Sequence, residues 1–384
     1  MQQLEHTYDA AIIGGGLAGL ALSIQLARKG FRVVLLEKET YPFHKVCGEY
    51  ISKEAWPFLE SLGVPLAHMQ LPVIDTLQLT APNGSQFETR LPLGGFGISR
   101  YRLDHELCSI AKREGVVVKE GSKVEDVKCQ HGRYIVQALA KEGAFEVSAR
   151  LCLGAYGKRS NLDVKWKRAF ITSKDRQLNN YIAVKYHIDG YEQPNKISLH
   201  NFQDGYCGIS EVEGGTYCLC YLTTAANLKR AGGNIVKLEK EVLSRNPVLA
   251  AILDKAIRKA SFPVTIAQIS FSPKTWIENG VLMVGDAAGM ITPLCGNGMS
   301  MALHSSKMVA TLAAEYLSGH IAFQQLVLQY QRQWQEAFNN RMKTGRFLQR
   351  FFGHPVLSNS FVMLFRLIPS LAGPLIRQTH GQPF

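Results

Sequence analysis

Near its N-terminus the chain reads Asp9-Ala-Ala-Ile-Ile-Gly-Gly-Gly-Leu-Ala-Gly-Leu20, and Phe31-Arg-Val-Val-Leu-Leu-Glu37 follows shortly after. An apolar strand, a glycine-rich turn, a helix and a second strand that ends in an acid form one dinucleotide-binding unit. Gly14 turns the chain off the strand, Gly16 lets backbone N–H groups approach a pyrophosphate, and Gly19 lets the helix pack closely on the strand. The motif therefore predicts an adenine dinucleotide at the end of a parallel sheet.

Glu37 narrows the choice of dinucleotide. It stands roughly 20 residues after the glycines, where an acid binds the ribose hydroxyls. A carboxylate at this place repels a 2′-phosphate, so the site suits FAD or NAD and not NADP. The predicted helix Leu17–Lys29, which Gly30 ends, directs its positive N-terminal end at the phosphates.

A second glycine-rich segment lies far downstream, where Val281-Leu-Met-Val-Gly-Asp286 is followed by Pro293, Gly296 and Gly298. This segment resembles the FAD-dependent superfamily of group A flavoprotein monooxygenases and geranylgeranyl reductases, which share a p-hydroxybenzoate hydroxylase-like fold. The resemblance implies that Gly285 and Asp286 bind the ribityl chain of FAD. It also implies that the turn from Pro293 to Gly298 starts a helix directed at the isoalloxazine.

Two further signatures support the resemblance. One is Arg100-Tyr-Arg-Leu-Asp-His-Glu-Leu107, a helix start near the cofactor, and the other is Gly154-Ala-Tyr-Gly157. In the second, Tyr156 stands where the family has an acid, and Asp163 stands where it has an arginine. The candidate cofactor-binding residues are Gly14, Gly16, Leu17, Ala18, Gly19, Glu37, Lys38, Lys45, Cys47, Arg100, Val124, Gly285, Asp286, Pro293, Gly296, Asn297, Gly298 and Met299.

The predicted fold class is α/β, with a Rossmann-like FAD-binding domain of the GR2 type interleaved with an antiparallel β-sheet substrate domain, plus C-terminal helices. Strand and helix patterns alternate at both ends of the chain, whereas its middle contains short alternating strands and turns. The predicted boundaries are 1–71, 96–165 and 271–345 for the FAD-binding domain, 72–95 and 166–270 for the substrate domain, and 346–384 for the C-terminal helical segment.

Composition limits the class of protein. A hydrophobic content of 46% in 384 residues is enough for large buried cores. The eight cysteines form no Cys-x-x-Cys pair, and no cleavable signal is apparent before Asp9, so we expect free thiols, no metal and a cytoplasmic location.

The excess of basic over acidic residues in the chain has two interpretations. Its net charge is +12, but it lacks the basic surface with interleaved aromatic residues that is typical of nucleic-acid binding, so no nucleic-acid partner is expected. Basic residues are frequent near the C-terminus, where an apolar segment begins at Pro355. Arg366, Pro369 and Pro374 interrupt this segment before the roughly 20 apolar residues of a spanning helix. The segment either makes peripheral membrane contact or packs on the protein's own core.

Two residues are candidates for catalysis beside the flavin. Cys47 lies in His44-Lys-Val-Cys-Gly-Glu-Tyr-Ile-Ser52, which resembles the Lys-x-Cys-Gly loop that covers the flavin in geranylgeranyl reductases. Its thiol, near Lys45 and His44, is a candidate proton donor, and the alternative is a small residue that the loop tolerates there. Tyr206 is the second candidate, and its alternative is a core aromatic. Gly208 stands where prenyl reductases carry a tryptophan.

The sequence predicts an FAD-dependent oxidoreductase that acts on a lipophilic or aromatic small molecule. Hydroxylation with NAD(P)H as a transient reductant is the first hypothesis, on the frequency of that activity in the superfamily. The alternative is saturation of double bonds in an isoprenoid or polyene, as in geranylgeranyl reductases. A non-catalytic flavin-binding protein is a remote alternative, and the Trp-x-Trp-x-Ile-Pro motif of flavin halogenases is absent.

Overall fold

The computed structural model describes residues 7–173, 179–260, 262–292, 296–349, 351–379 and 381–384. The strands are β1 (Thr7–Ile13), β2 (Val33–Leu36), β3 (Tyr50–Ser52), β4 (Val73–Thr80), β5 (Gln86–Gly97), β6 (Val117–Lys119), β7 (Lys123–Gln130), β8 (Arg133–Ala140), β9 (Gly143–Gly154), β10 (Asn179–Asp189), β11 (Lys196–Phe202), β12 (Gly205–Glu211), β13 (Tyr217–Thr224), β14 (Ile257–Arg258), β15 (Val264–Ser270), β16 (Ile277–Glu278) and β17 (Val281–Met283). The helices are α1 (Leu17–Arg28), α2 (Trp56–Ser61), α3 (Arg100–Arg113), α4 (Asn161–Lys165), α5 (Ala169–Thr172), α6 (Ala225–Arg230), α7 (Ile235–Glu241), α8 (Pro247–Lys255), α9 (Gly298–Leu317), α10 (Phe323–Gln349), α11 (Pro355–Leu367) and α12 (Ala372–Thr379).

The first sheet has the order β16-β17-β9-β1-β2-β6. Strands β17, β9, β1, β2 and β6 pair in parallel, and β7 and β8 extend the sheet as an antiparallel meander on β9. Strand β2 is buried throughout, as expected for a parallel strand covered on both faces. Helix α1 contacts both α3 and α9 along this sheet. The Rossmann-like prediction is confirmed.

The second sheet has the order β14-β10-β13-β12-β11-β4-β5-β3, with β15 also paired to β10. Its pairs are antiparallel except for β4 with β11, which run parallel. The exception arises because β4 comes from a distant segment of the chain and joins the edge of the hairpins β10–β13. Strand β3 also belongs to this sheet, although it lies within the predicted segment 1–71. The domain boundaries stay a prediction.

Two glycine-rich turns meet at one edge of the first sheet. Strands β1 and β17 both flank β9 in parallel, so the turns that follow Ile13 and Met283 leave from the same carboxyl edge. A crevice at the carboxyl ends of parallel strands is where open α/β sheets bind ligands. The sheet topology thus brings together motifs that are about 270 residues apart in the sequence.

The C-terminal helices cover the second sheet. Helices α11 and α12 contact β5, and α11 also contacts β11. Phe361 packs edge to face against Phe352 and Phe365, and Phe365 also meets Phe87 on the sheet. We call α11, the short turn Pro369–Leu371 and α12 the cap. Within the described residues no single helix has the length and apolar character needed to cross a membrane. Helix α11 and the segment Pro369–Gln378 are long and apolar enough only when taken together, and they meet at an angle of 109°.

Candidate cofactor and substrate site

The first glycine turn is shaped for a close approach. Gly14 has a φ of 101°, and a Cβ on Gly19 would lie 1.9 Å from the carbonyl oxygen of Gly14. A Cβ on Gly16 would face the Arg100 guanidinium at 3.6 Å and the Lys45 ammonium at 3.8 Å. Two cations therefore stand beside the N-terminus of α1, and together they suit a pyrophosphate.

Glu37 is held in place at the end of β2. Its buried carboxylate accepts hydrogen bonds from the Gly15 N–H at 2.7 Å and from the Glu39 N–H at 3.1 Å. The Tyr41 hydroxyl donates to the Gly15 carbonyl, which fixes the turn from the other side. This arrangement orients the carboxylate beside the glycine turn, as ribose recognition requires.

Asp104 keeps the two cations in position. Its carboxylate binds Arg100 at 2.7 Å and Lys45 at 3.1 Å. Burial alone would raise the pKa of Asp104, but the charges of Arg100 and Lys45 outweigh burial and lower it. Arg100 also interacts with the sulfur of Cys47, so the cation beside this thiol is Arg100, whereas Lys45 is engaged by Asp104 and the Gly15 carbonyl.

A cavity of about 1290 Å³, partly open to solvent, extends from this turn to the second sheet. Sequence motifs from both ends of the chain line it, which confirms that the fold brings them together. The predicted site residues along its wall are Gly16, Leu17, Ala18, Cys47, Arg100, Tyr206, Asp286, Gly296, Gly298 and Met299.

The wall offers polar groups that lack protein partners. The Asp286 carboxylate makes no hydrogen bond to any described residue, and neither do the backbone N–H groups of Val46, Cys47 and Gly48. These residues are half-buried, or exposed in the case of Gly48, so an acceptor and three donors at one cavity wall are open to a polar ligand. Asp286 fits ribityl hydroxyls, and the loop N–H groups fit the heteroatoms of a flavin ring.

The loop that carries Cys47 is fixed to the second sheet by its carbonyl groups. Lys158 Nζ donates to the Val46 carbonyl at 3.0 Å. The Cys218 thiol donates to the Cys47 carbonyl at 3.2 Å, and the Ser210 hydroxyl donates to the Gly48 carbonyl at 3.0 Å. Protein donors thus bind the carbonyl groups of the loop, and its N–H groups remain available on the cavity side.

Glu49 is a site residue that sequence reasoning missed. It has a φ of 57°, and its fully buried carboxylate accepts the Arg100 N–H at 2.7 Å, His187 Nε2 at 2.6 Å and the ammonium of Lys185. Burial raises its pKa, but His187 and Lys185 outweigh burial and lower it. The Glu49 cluster (Glu49, Lys185 and His187) joins the cavity loop, α3 and β10. Glutamate next to Cys47-Gly48 was the available signal, but Lys185 and His187 lie over 130 residues away.

The Gly154–Gly157 turn departs from its family pattern, and the structure explains how. The Tyr156 hydroxyl donates to Asp163 at 2.9 Å, and Arg168, from farther along the chain, binds Asp163 at 2.8 Å. Arg168 also donates to the Ala287 carbonyl at 3.0 Å. Arg168 therefore ties this turn to the Gly285-Asp286 turn.

Lys274 supports the same turn. Its ammonium donates to the carbonyls of Asp286 and Lys158, each at 2.8 Å. Burial lowers the pKa of Lys274 to about 8. Sequence reasoning did not find this residue, because it belongs to no motif.

Of the remaining predicted residues, Lys38 and Val124 lie away from the cavity, whereas Gly285 adjoins its wall. Lys38 is exposed and pairs with Glu39, and Val124 is buried in β7 with its carbonyl engaged by Asn161. Gly285 packs against Ala18, and a Cβ there would come within 3.0 Å of it. Asn297 precedes α9 as its N-cap, and Pro293 lies outside the described residues.

A second cavity, of about 680 Å³ including space open to solvent, lies between the second sheet and the cap. Except for Thr89 and the hydroxyl-bearing Tyr50, its lining is apolar. It shares Tyr50, Ile197, Leu199 and Gly296 with the first cavity. The two spaces are therefore adjacent and separated by single side chains, with the Tyr50 ring between Gly95 and Gly296.

Residues 7–342 match the family described as FAD binding domain. The chain belongs to this family. It is 25% identical over 380 residues to Conditioned medium factor receptor 1 of Dictyostelium discoideum, with 90% of this chain and 72% of that protein covered. It is also 25% identical over 347 residues to Digeranylgeranylglycerophospholipid reductase of Methanococcus vannielii, with 88% and 84% covered.

Solved structures share the fold of this FAD-binding protein. The flavin-dependent brominase Bmp2 matches with a TM-score of 0.79 at 19% identity, over 97% of this chain and 93% of that chain. A geranylgeranyl bacteriochlorophyll reductase-like protein from Thermoplasma acidophilum matches with a TM-score of 0.72 at 19% identity, over 98% and 92%. The predicted superfamily, the FAD cofactor and the assignment as an FAD-dependent oxidoreductase are confirmed.

Proposed function

We propose that this protein is an FAD-dependent reductase that saturates carbon–carbon double bonds of a long lipophilic substrate of isoprenoid type. The observation that carries the proposal is the apolar cavity between sheet and cap, which adjoins the cofactor cavity at Tyr50. A long apolar chain can occupy the first while its reacting bond lies in the second. The relatives named as digeranylgeranylglycerophospholipid reductases support the same substrate class.

Reduced FAD supplies the hydride in such a reaction, and the protein must position the double bond and deliver a proton to the other carbon. Cys47 and Tyr206 remain the proposed proton donors, because both line the cofactor cavity. Arg100 lines the same cavity beside Cys47 and brings a positive charge to this part of the wall. We propose NAD(P)H as the reductant. It would bind only transiently, because the chain carries a single dinucleotide fingerprint and we assign that one to FAD.

Hydroxylation of a lipophilic or aromatic substrate is the second candidate and stays a prediction. The two reactions differ in their products, since reduction adds two hydrogen atoms and hydroxylation adds one oxygen atom. The test is to reduce the holoprotein anaerobically with dithionite, mix it with geranylgeraniol, and follow flavin reoxidation together with the product mass. Substrate-dependent reoxidation without oxygen supports the reductase, whereas a product formed only with oxygen contradicts it.

A cavity-filling variant tests the placement of the substrate. Leu79 lines only the apolar cavity, so Leu79→Trp should slow reoxidation by geranylgeraniol at least about tenfold, because the side chain occupies the space for the chain. Val236→Trp, on the exposed side of α7 and away from the cap, is the matched control and should leave the rate unchanged. Equal rates in the wild-type protein and the Leu79→Trp variant would place the substrate elsewhere.

A further inference from the structure

The cap exposes an apolar face to solvent. Val356, Met363 and Leu367 recur along one side of α11 and are 66%, 59% and 71% exposed. They follow one another at helical spacing, so they form a continuous strip. The same outer face includes Leu357, Leu364, Ile368 and Leu371. We call these seven residues the outer face of the cap.

The opposite side of the same helices forms the wall of the apolar cavity. Phe361 and Phe365 of α11 and Leu375 and Ile376 of α12 line that cavity. Helix α11 is therefore apolar on both sides, although the sheet covers only one of them. A strip of this size on the surface of a monomer marks a place of contact.

The charge around the outer face indicates what makes the contact. The cap contains no acidic residue, and its charged residues are Arg366 and Arg377. Arg366 and Arg377 are exposed on the cap and form no ion pair with any described residue. Exposed apolar side chains flanked by unpaired cations are typical of helices that lie in the interface of an anionic bilayer.

We propose that the outer face of the cap docks on an anionic lipid surface, and that the cap is the entrance through which a lipid chain passes from the bilayer into the apolar cavity. The docking stands on exposure and charge alone. The entrance rests on the proposed function, because it requires a lipophilic substrate. The geometry of the cap suits both the docking and the entry of a lipid chain, since the single helix α11 separates the outer face from the cavity.

The test is flotation of the holoprotein with vesicles of phosphatidylcholine alone or with about 30% phosphatidylglycerol. We expect binding to the anionic vesicles that weakens with salt. Leu367→Glu and Met363→Glu should each lower the partition coefficient at least about tenfold, because a carboxylate replaces an inserted side chain. Val236→Glu is the matched control, since Val236 is 63% exposed on α7, away from the cap, and should bind like the wild-type protein.

Three results would overturn the docking: no flotation with anionic vesicles, an equal loss in Val236→Glu, or a dimer in light scattering that Leu367→Glu converts to a monomer. The dimer would mean that a second copy covers the outer face. Flavin content and thermal unfolding show whether each variant is folded. Reoxidation by geranylgeraniol in detergent separates the two proposals, because it tests the reaction without a bilayer. If docking holds but Leu367→Glu does not slow turnover of substrate presented in vesicles, the entrance is refuted while the docking stands.

Discussion

Loss of the charge on Glu49 should destabilise the protein far more than loss of an exposed carboxylate. The side chains of Glu49 and Lys185 are 0% and 1% exposed, so the carboxylate is the main compensation for a buried ammonium. In Glu49→Gln the neutral amide cannot replace that charge, and its NH2 group must also face one of three donors. Breaking a buried ion pair from one side costs roughly 3–5 kcal/mol.

The assay is urea unfolding of the holoprotein at pH 7, followed by circular dichroism and flavin fluorescence. The control is Glu336→Gln, because Glu336 pairs with Arg332 on the surface, where solvent screens the two charges. The double variant Glu49→Gln/Lys185→Met should recover at least roughly 2 kcal/mol of the loss, since it removes the uncompensated ammonium. If Glu49→Gln costs no more than Glu336→Gln, the cluster does not stabilise the fold.

The difference in stability between the wild-type protein and Glu49→Gln has a defined pH dependence. Because the folded-state pKa of Glu49 lies below 4.5, the carboxylate stabilises the fold fully above pH 4.5. This contribution is lost as the pH falls through the lowered folded-state pKa. The difference between the wild-type protein and Glu49→Gln should therefore shrink only under acid conditions, and a difference that shrinks between pH 8 and 6 would contradict the assignment.

Three further predictions concern the cofactor turns. Asp286→Ala should yield folded protein without FAD, because the carboxylate accepts no hydrogen bond from a described residue and is left for the ribityl hydroxyls. The ratio of flavin to protein absorbance measures this, and a fully yellow variant refutes it. Gly19→Ala should lose FAD and about 1–3 kcal/mol of stability, because its Cβ would overlap the Gly14 carbonyl, whereas Gly373→Ala, with 3.6 Å to its nearest neighbour, should do neither. For Lys274, whose folded-state pKa is about 8 against 10.5 unfolded, the unfolded chain binds the extra proton between these values. Stability of the wild-type protein relative to Lys274→Met should thus rise by roughly 3 kcal/mol from pH 8 to 10.5, as urea unfolding at several pH values can show.

The cofactor half of the site could be predicted from local sequence. Gly14, Gly16 and Gly19 have functions that follow from backbone geometry within one turn, so their spacing alone indicates a dinucleotide. Gly285 and Asp286 came from a family resemblance, and the structure places Asp286 on the same cavity. Val124 and Lys38 were predicted with them and lie away from that cavity.

The part of the candidate site formed with the second sheet could not be predicted, because its contacts join distant segments. Glu49 stands in a motif, but only the fold brings Lys185 and His187 of β10 to its carboxylate. The parallel pairing of β4 with β11 likewise depends on which sheet edge was free, and no local pattern records it.

Sequence by itself determined the FAD-binding fold, since glycine spacing, buried parallel strands and the acid of Glu37 are local constraints on the backbone. The tertiary structure alone decided that the C-terminal helices cover an apolar cavity beside the cofactor site while exposing a second apolar face. Hydrophobic periodicity can show that a helix such as α11 is apolar on both sides. Which side meets a sheet and which meets solvent depends on packing between elements that the sequence keeps far apart.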